Sequence, residues 1–171
     1  FSLNNVNFNN AVSDAFDGDF VEGTISNCSF SNIAGDGIDF SGSDVIINDC
    51  KFKNISDKAV SIGENSRAKV SKTYIENVAF GIVSKDQSVT NVENKSIIKN
   101  ANIAAFSVFQ KKPLFGPATI KVSDSTIISS TKDFLIQDGS TGWNNDAPLA
   151  TESFNASDLY NNRDPTHNNP K

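Results

Sequence analysis

Asn10, Asn32, Asn54, Asn77 and Asn100 recur at steps of 22, 22, 23 and 23 residues, each two places after a large apolar residue: Phe8, Phe30, Phe52, Ile75 and Ile98. A period this short, kept at several positions at once, commits the chain to a solenoid. A unit of that size cannot bury its own apolar face and has to stack on its neighbours. The register holds in other columns too. Leu3, Ile25, Ile47 and Val70 form one file, and Val6, Cys28, Cys50, Thr73 and Ser96 another. Beyond the Asn column, Phe16, Ile38, Val60, Ile82, Phe106 and Leu135 form a third. A sixth rung is weaker, with Ser129 where Asn is due.

Within each unit apolar and polar residues alternate, as in Cys28-Ser29-Phe30-Ser31, which is the period of a strand and not of a helix. Gly, Asn, Asp and Ser interrupt every few residues, so no segment offers room for a ten-residue helix. Strands that recur identically along a chain stack in parallel, about 4.8 Å per rung. The expected fold is all-β: a single-stranded parallel β-helix of about six rungs of 22–23 residues over 1–140, a C-terminal cap over 141–160 with Trp143 as its anchor, and a disordered tail over 161–171. An insertion of about six residues around Gln110–Gly116 is expected as a surface loop.

The runs Ile25-Ser-Asn-Cys28-Ser-Phe30-Ser-Asn32-Ile33 and Ile47-Asn-Asp-Cys50-Lys-Phe52-Lys-Asn54-Ile55, followed by Gly35-Asp-Gly-Ile-Asp39, carry a resemblance. In them the chain resembles the right-handed parallel β-helix repeat proteins, the pectate-lyase-like group that includes lyases, polygalacturonases, epimerases, phage tailspikes and bacterial surface proteins. The likeness implies a right-handed helix. It does not fix an activity, because one scaffold hosts many chemistries.

An Asn amide offers two donors and an acceptor, so amides stacked rung on rung can bond one another. Asn10, Asn32, Asn54, Asn77 and Asn100 are expected as an inward ladder at a turn. Cys28 and Cys50, one rung apart, are expected as buried free thiols, because parallel Cβ vectors suit a disulfide badly. The net charge of −5 and the lack of a basic, aromatic-interleaved stripe argue against a nucleic-acid platform. No apolar run is long enough to span a membrane. Phe1 is already in phase with the repeat, so earlier rungs or a cap are expected upstream in a longer parent chain.

Chemistry rests on the carboxylates. Asp14 and Asp36 share one file and Asp17 and Asp39 another, with Lys58 and Ser61 in the next rung. Like charges about 5 Å apart repel unless a cation or proton intervenes. The four could bind Ca²⁺, with Asp17 and Asp39 as its ligands, or could supply acid and base to a glycan. Lys58 reads as a solvated turn residue. Otherwise no cofactor is expected. The resemblance offers two functions. One is a non-catalytic scaffold of a secreted or cell-surface protein that contacts polysaccharide along one face. The other is a fragment of a polysaccharide lyase, epimerase or glycoside hydrolase with part of its site in missing rungs.

Overall fold

The computed structural model describes residues 1–161; the expected disordered tail, apart from Asn161, lies outside the described residues. The chain is a parallel β-helix. Its first sheet stacks Ser2–Asn4, Glu22–Ser26, Asp44–Asn48, Arg67–Ser71, Val89–Glu93, Thr119–Val122 and Thr141–Asn144, all in parallel. A second sheet holds the rest of each rung, including the long strands Lys51–Gly63, Tyr74–Lys85 and Ile97–Phe109. The solenoid therefore runs past residue 140, because Thr141–Asn144 adds one more parallel strand before Ala147–Pro148 turns back antiparallel against it.

Each column of the repeat becomes a column of the core. Phe8, Phe30 and Phe52 stack with ring centroids 4.8 Å apart and planes within 6° of parallel, and Ile75, Ile98 and Ile127 continue the file. Cys28 and Cys50 are buried and free, and burial pushes the Cys50 thiol up to about 11. That places the Cys50 thiol far from the thiolate form that reacts.

Corners come from residues in the left-handed region. Asn10, Asn32, Asn54, Asn77, Asn100 and Ser129 all have φ between 56° and 60°, a conformation that Asn tolerates better than most side chains. The amides do form a ladder: Asn54 donates to Asn32 at 3.0 Å, Asn77 to Asn54 at 3.1 Å and Asn100 to Asn77 at 3.0 Å. It differs from expectation in two ways. The side chains point outward at the corner, where Asn32, Asn54 and Asn77 are exposed. At the first rung Asn32 bonds Asn9, not Asn10.

Trp143 does not anchor the C-terminal end. It lies on the outer side of the first sheet, opposite Lys121, while Leu149 packs against the core beside Ile136 and Gly142. From Glu152 the chain crosses the outside of the second sheet. Glu152 N–H donates to Ile136 O at 2.9 Å and Gln137 Nε2 donates to Phe154 O at 2.9 Å. There Ala156, Phe154, Leu159 and Tyr160 meet Phe80, Val83, Ala104, Phe109 and Leu135, making a second apolar core outside the solenoid. Among the described residues no helix is long and apolar enough to cross a membrane.

Candidate functional site

The four carboxylates singled out in the sequence lie together on the outside of the second sheet. Asp17 and Asp39 are paired in register and alternate with inward Phe16, Ile38 and Phe40, as expected. Asp14 and Asp36 lie at the adjoining turn, where Asp14 Oδ1 accepts the Asp36 N–H at 2.6 Å. The oxygens that come within 4.8 Å of one another belong to Asp14, Asp36 and Asp39, so Asp17 is not part of the tightest group. Burial, with Asp39, Asp19 and Asp14 close by, raises the Asp17 carboxyl above its ordinary value.

Lys58 corrects the reading of a solvated turn residue. It is buried, with Nζ 3.1 and 3.2 Å from the two Asp36 oxygens and 2.7 Å from Asp57 Oδ2. Its backbone N–H adds a bond to Asp36 Oδ1 at 2.9 Å. Desolvation dominates at Asp36 and pushes its carboxyl up to about 7 against the pull of the Lys58 ammonium. A second lysine, Lys85, is also buried and reaches back two rungs to Asp39 Oδ1 at 3.5 Å. Gly63 makes that route possible, since a Cβ there would lie 2.5 Å from Lys85 Cε.

The inserted loop closes one side of this patch. Buried Asp86 accepts the N–H groups of Lys111 and Lys112 at 2.6 and 2.7 Å, and Lys112 Nζ pairs with Glu64 at 2.6 Å. Burial would raise the Glu64 carboxyl, but hydrogen bonds from Lys112 and Ser41 outweigh it and hold the group below its usual value. Partial burial, with the Lys85 and Lys58 ammoniums nearby, lowers Lys111. Both Lys58 and Lys111 lie over the Tyr160 ring, 5.3 and 4.5 Å from its centroid. The carboxylates thus meet ammonium groups of the chain itself. A Ca²⁺ at Asp14, Asp36 and Asp39 would have to compete with Lys58 and Lys85 for the same oxygens.

A different constellation occupies the outside of the first sheet. Lys69, Asn91, Lys121 and Trp143 are register partners on four successive rungs, all facing away from the core. With Glu93, Ser123 and Asp146 they line an open cleft of about 580 Å³. The Lys121 ammonium lies 5.5 Å from the Trp143 ring centroid. This row was not legible in the chain, because the insertion at 110–116 separates Asn91 from Lys121 by 30 positions and breaks the period. The surviving signal was Trp143 itself, an aromatic at a polar position of an alternating strand.

One comparison with known proteins is informative. A family model described as "Right handed beta helix region" matches residues 1–162. The chain belongs to that family. No curated protein and no solved structure matches it.

Proposed function

We propose that this right-handed β-helix is a non-catalytic scaffold of a secreted or cell-surface protein, and that it contacts polysaccharide along the outer face of its first sheet. The observation that carries the reading is the outward row ending in Trp143. A large amphipathic ring at the head of an open cleft gives a sugar ring an apolar surface to lie on, and Lys69, Asn91, Glu93, Lys121 and Asp146 offer donors and acceptors for its hydroxyls. Lys69 and Lys121 are two rungs apart, about 9.6 Å. The row therefore follows an extended polymer rather than enclosing a small molecule. Its mixed charges favour a chain read through hydroxyl groups over one held by a single sign of charge.

The alternative is a polysaccharide-cleaving enzyme, and it draws on the raised Asp36 carboxyl. Against it, Asp36 is buried and held by Lys58 on both oxygens. A glycan-array screen with neutral and uronate-containing polymers, followed by analysis of chain length, separates the two readings. The scaffold reading expects binding that Trp143→Ala abolishes and polymers of unchanged length. New chain ends that disappear with Asp36→Asn would support the enzyme, and no binding to any polymer would overturn polysaccharide contact.

A further inference from the structure

A scaffold gains little by burying an ammonium between two carboxylates. The desolvation cost of such a group often exceeds the attraction it recovers, and apolar residues would serve as well. Yet the side chains of Lys58 and Asp36 are only 4 % and 6 % exposed, and that of Asp57 is 16 % exposed. The backbone holds them in one orientation. Asp36 and Lys58 stand at equivalent positions of successive rungs, locked by Lys58 N–H to Asp36 Oδ1 at 2.9 Å, Gly37 N–H to Lys58 O at 2.8 Å and Asp36 N–H to Asp14 Oδ1 at 2.6 Å. The amine lies against both oxygens of one carboxyl and within 2.7 Å of a second carboxylate, beneath the Tyr160 ring. A nucleophile, an electrophile and a proton carrier are therefore held together out of water, the condition under which a slow bimolecular reaction becomes a fast intramolecular one.

The geometry points to an intramolecular amide bond between Lys58 Nζ and Asp36 Cγ, formed with Asp57 as the proton carrier, that staples the second rung to the third. Asp57 takes a proton from the Lys58 ammonium, and the neutral amine attacks Cγ of the protonated Asp36 carboxyl. The Nζ–Cγ bond forms and one Cγ–Oδ bond breaks. Asp57 delivers its proton to the departing hydroxyl, which leaves as water, and takes up the second proton lost by Nζ, later released to solvent. No oxidant or activated co-reactant enters. The upward displacement of the Asp36 carboxyl supplies the acid form this step needs at neutral pH. The product replaces a buried ion pair with a neutral amide whose N–H faces Asp57. The other buried lysine is differently placed: Lys85 touches a single oxygen of Asp39 at 3.5 Å, and the Asp39 side chain is 24 % exposed, so that pair stays ionic.

The test is the intact mass of the denatured full chain, followed by proteolysis and fragment sequencing by mass spectrometry. The expected chain is lighter than its sequence by one water, and its digest contains a branched peptide joining Lys58 to Asp36. Lys58→Arg and Asp57→Asn, each checked for retained β-structure by circular dichroism, are expected at full mass. A wild-type chain at full mass overturns the proposal. So does a lost water found in a linear peptide, as a succinimide at Asp36-Gly37. An Asp57→Asn chain that is still linked overturns the role given to Asp57.

Discussion

Asn54 donates to Asn32 below it and accepts from Asn77 above it, and its backbone sits at φ 57°. Replacing it with Ala removes both bonds and leaves a Cβ residue in a conformation that Ala disfavours, an expected cost of about 1–2 kcal/mol. Asn54→Gly loses the same bonds but fits the conformation, so its chemical-denaturation midpoint should fall by less than half as much. Equal losses would show that the corner geometry contributes nothing. The ladder's spacing was legible in the chain because one residue type recurs in one column. Its outward direction was not, because alternation predicts sidedness only within a strand, and each Asn stands at a left-handed corner where alternation is interrupted. The carboxylates follow the same logic. Asp17 and Asp39 lie within strands and point as alternation requires; Asp36 lies at a turn and Lys58 just past a register shift within Lys51–Gly63, where only the fold reveals their burial. Because Lys85 supplies positive charge beside Asp39 and Lys58 occupies Asp36, calcium should leave the melting temperature unchanged, and Asp39→Asn should not alter that response. A calcium-dependent rise lost in Asp39→Asn would place a cation among Asp14, Asp36 and Asp39 instead.

At the scale of elements, two additions to the repeat determine what the outer side of the second sheet exposes. The loop around Gln110–Gly116 is tied down through Asp86 and through the Lys112–Glu64 pair. Glu64 is held below its ordinary value of 4.5, so its contribution is present above that pH and is lost as pH falls through the lower folded-state value. Glu64→Gln should therefore cost about 0.5–1 kcal/mol at neutral pH, a modest figure for a partly exposed pair. In strong acid it should cost nothing, as thermal melts across pH would show. The C-terminal segment has an apolar purpose. It covers Phe80, Val83, Ala104, Phe109 and Leu135, and a chain ending at Ala150 should bind a hydrophobic dye and lose hydrogen-exchange protection in 103–109 and 134–137. Protection in the first sheet should persist; its loss would make the segment essential to the whole fold. This covering had a signal in the chain. Outward positions turn from Asp39 and Ser61 to Val83, and from Asp36 and Lys58 to Phe80 and Ala104. An apolar outer file has to be covered by something, but the repeat does not say by which segment.

At the scale of the whole molecule, the described residues form a column with two unlike sides. On one, charged groups have turned inward on one another beneath a loop and a returning segment; on the other, Lys69, Asn91, Lys121 and Trp143 stand in the open, rung above rung. That division is the basis for the proposal that the protein is a scaffold contacting polysaccharide. Trp143 is the chain's single tryptophan, so its fluorescence reports on one place. Titration with the polysaccharide selected by the glycan screen should shift that emission saturably, with a midpoint equal to the one found by calorimetry. Binding by calorimetry with unchanged Trp143 emission would contradict the account, because the polymer would then lie elsewhere on the column.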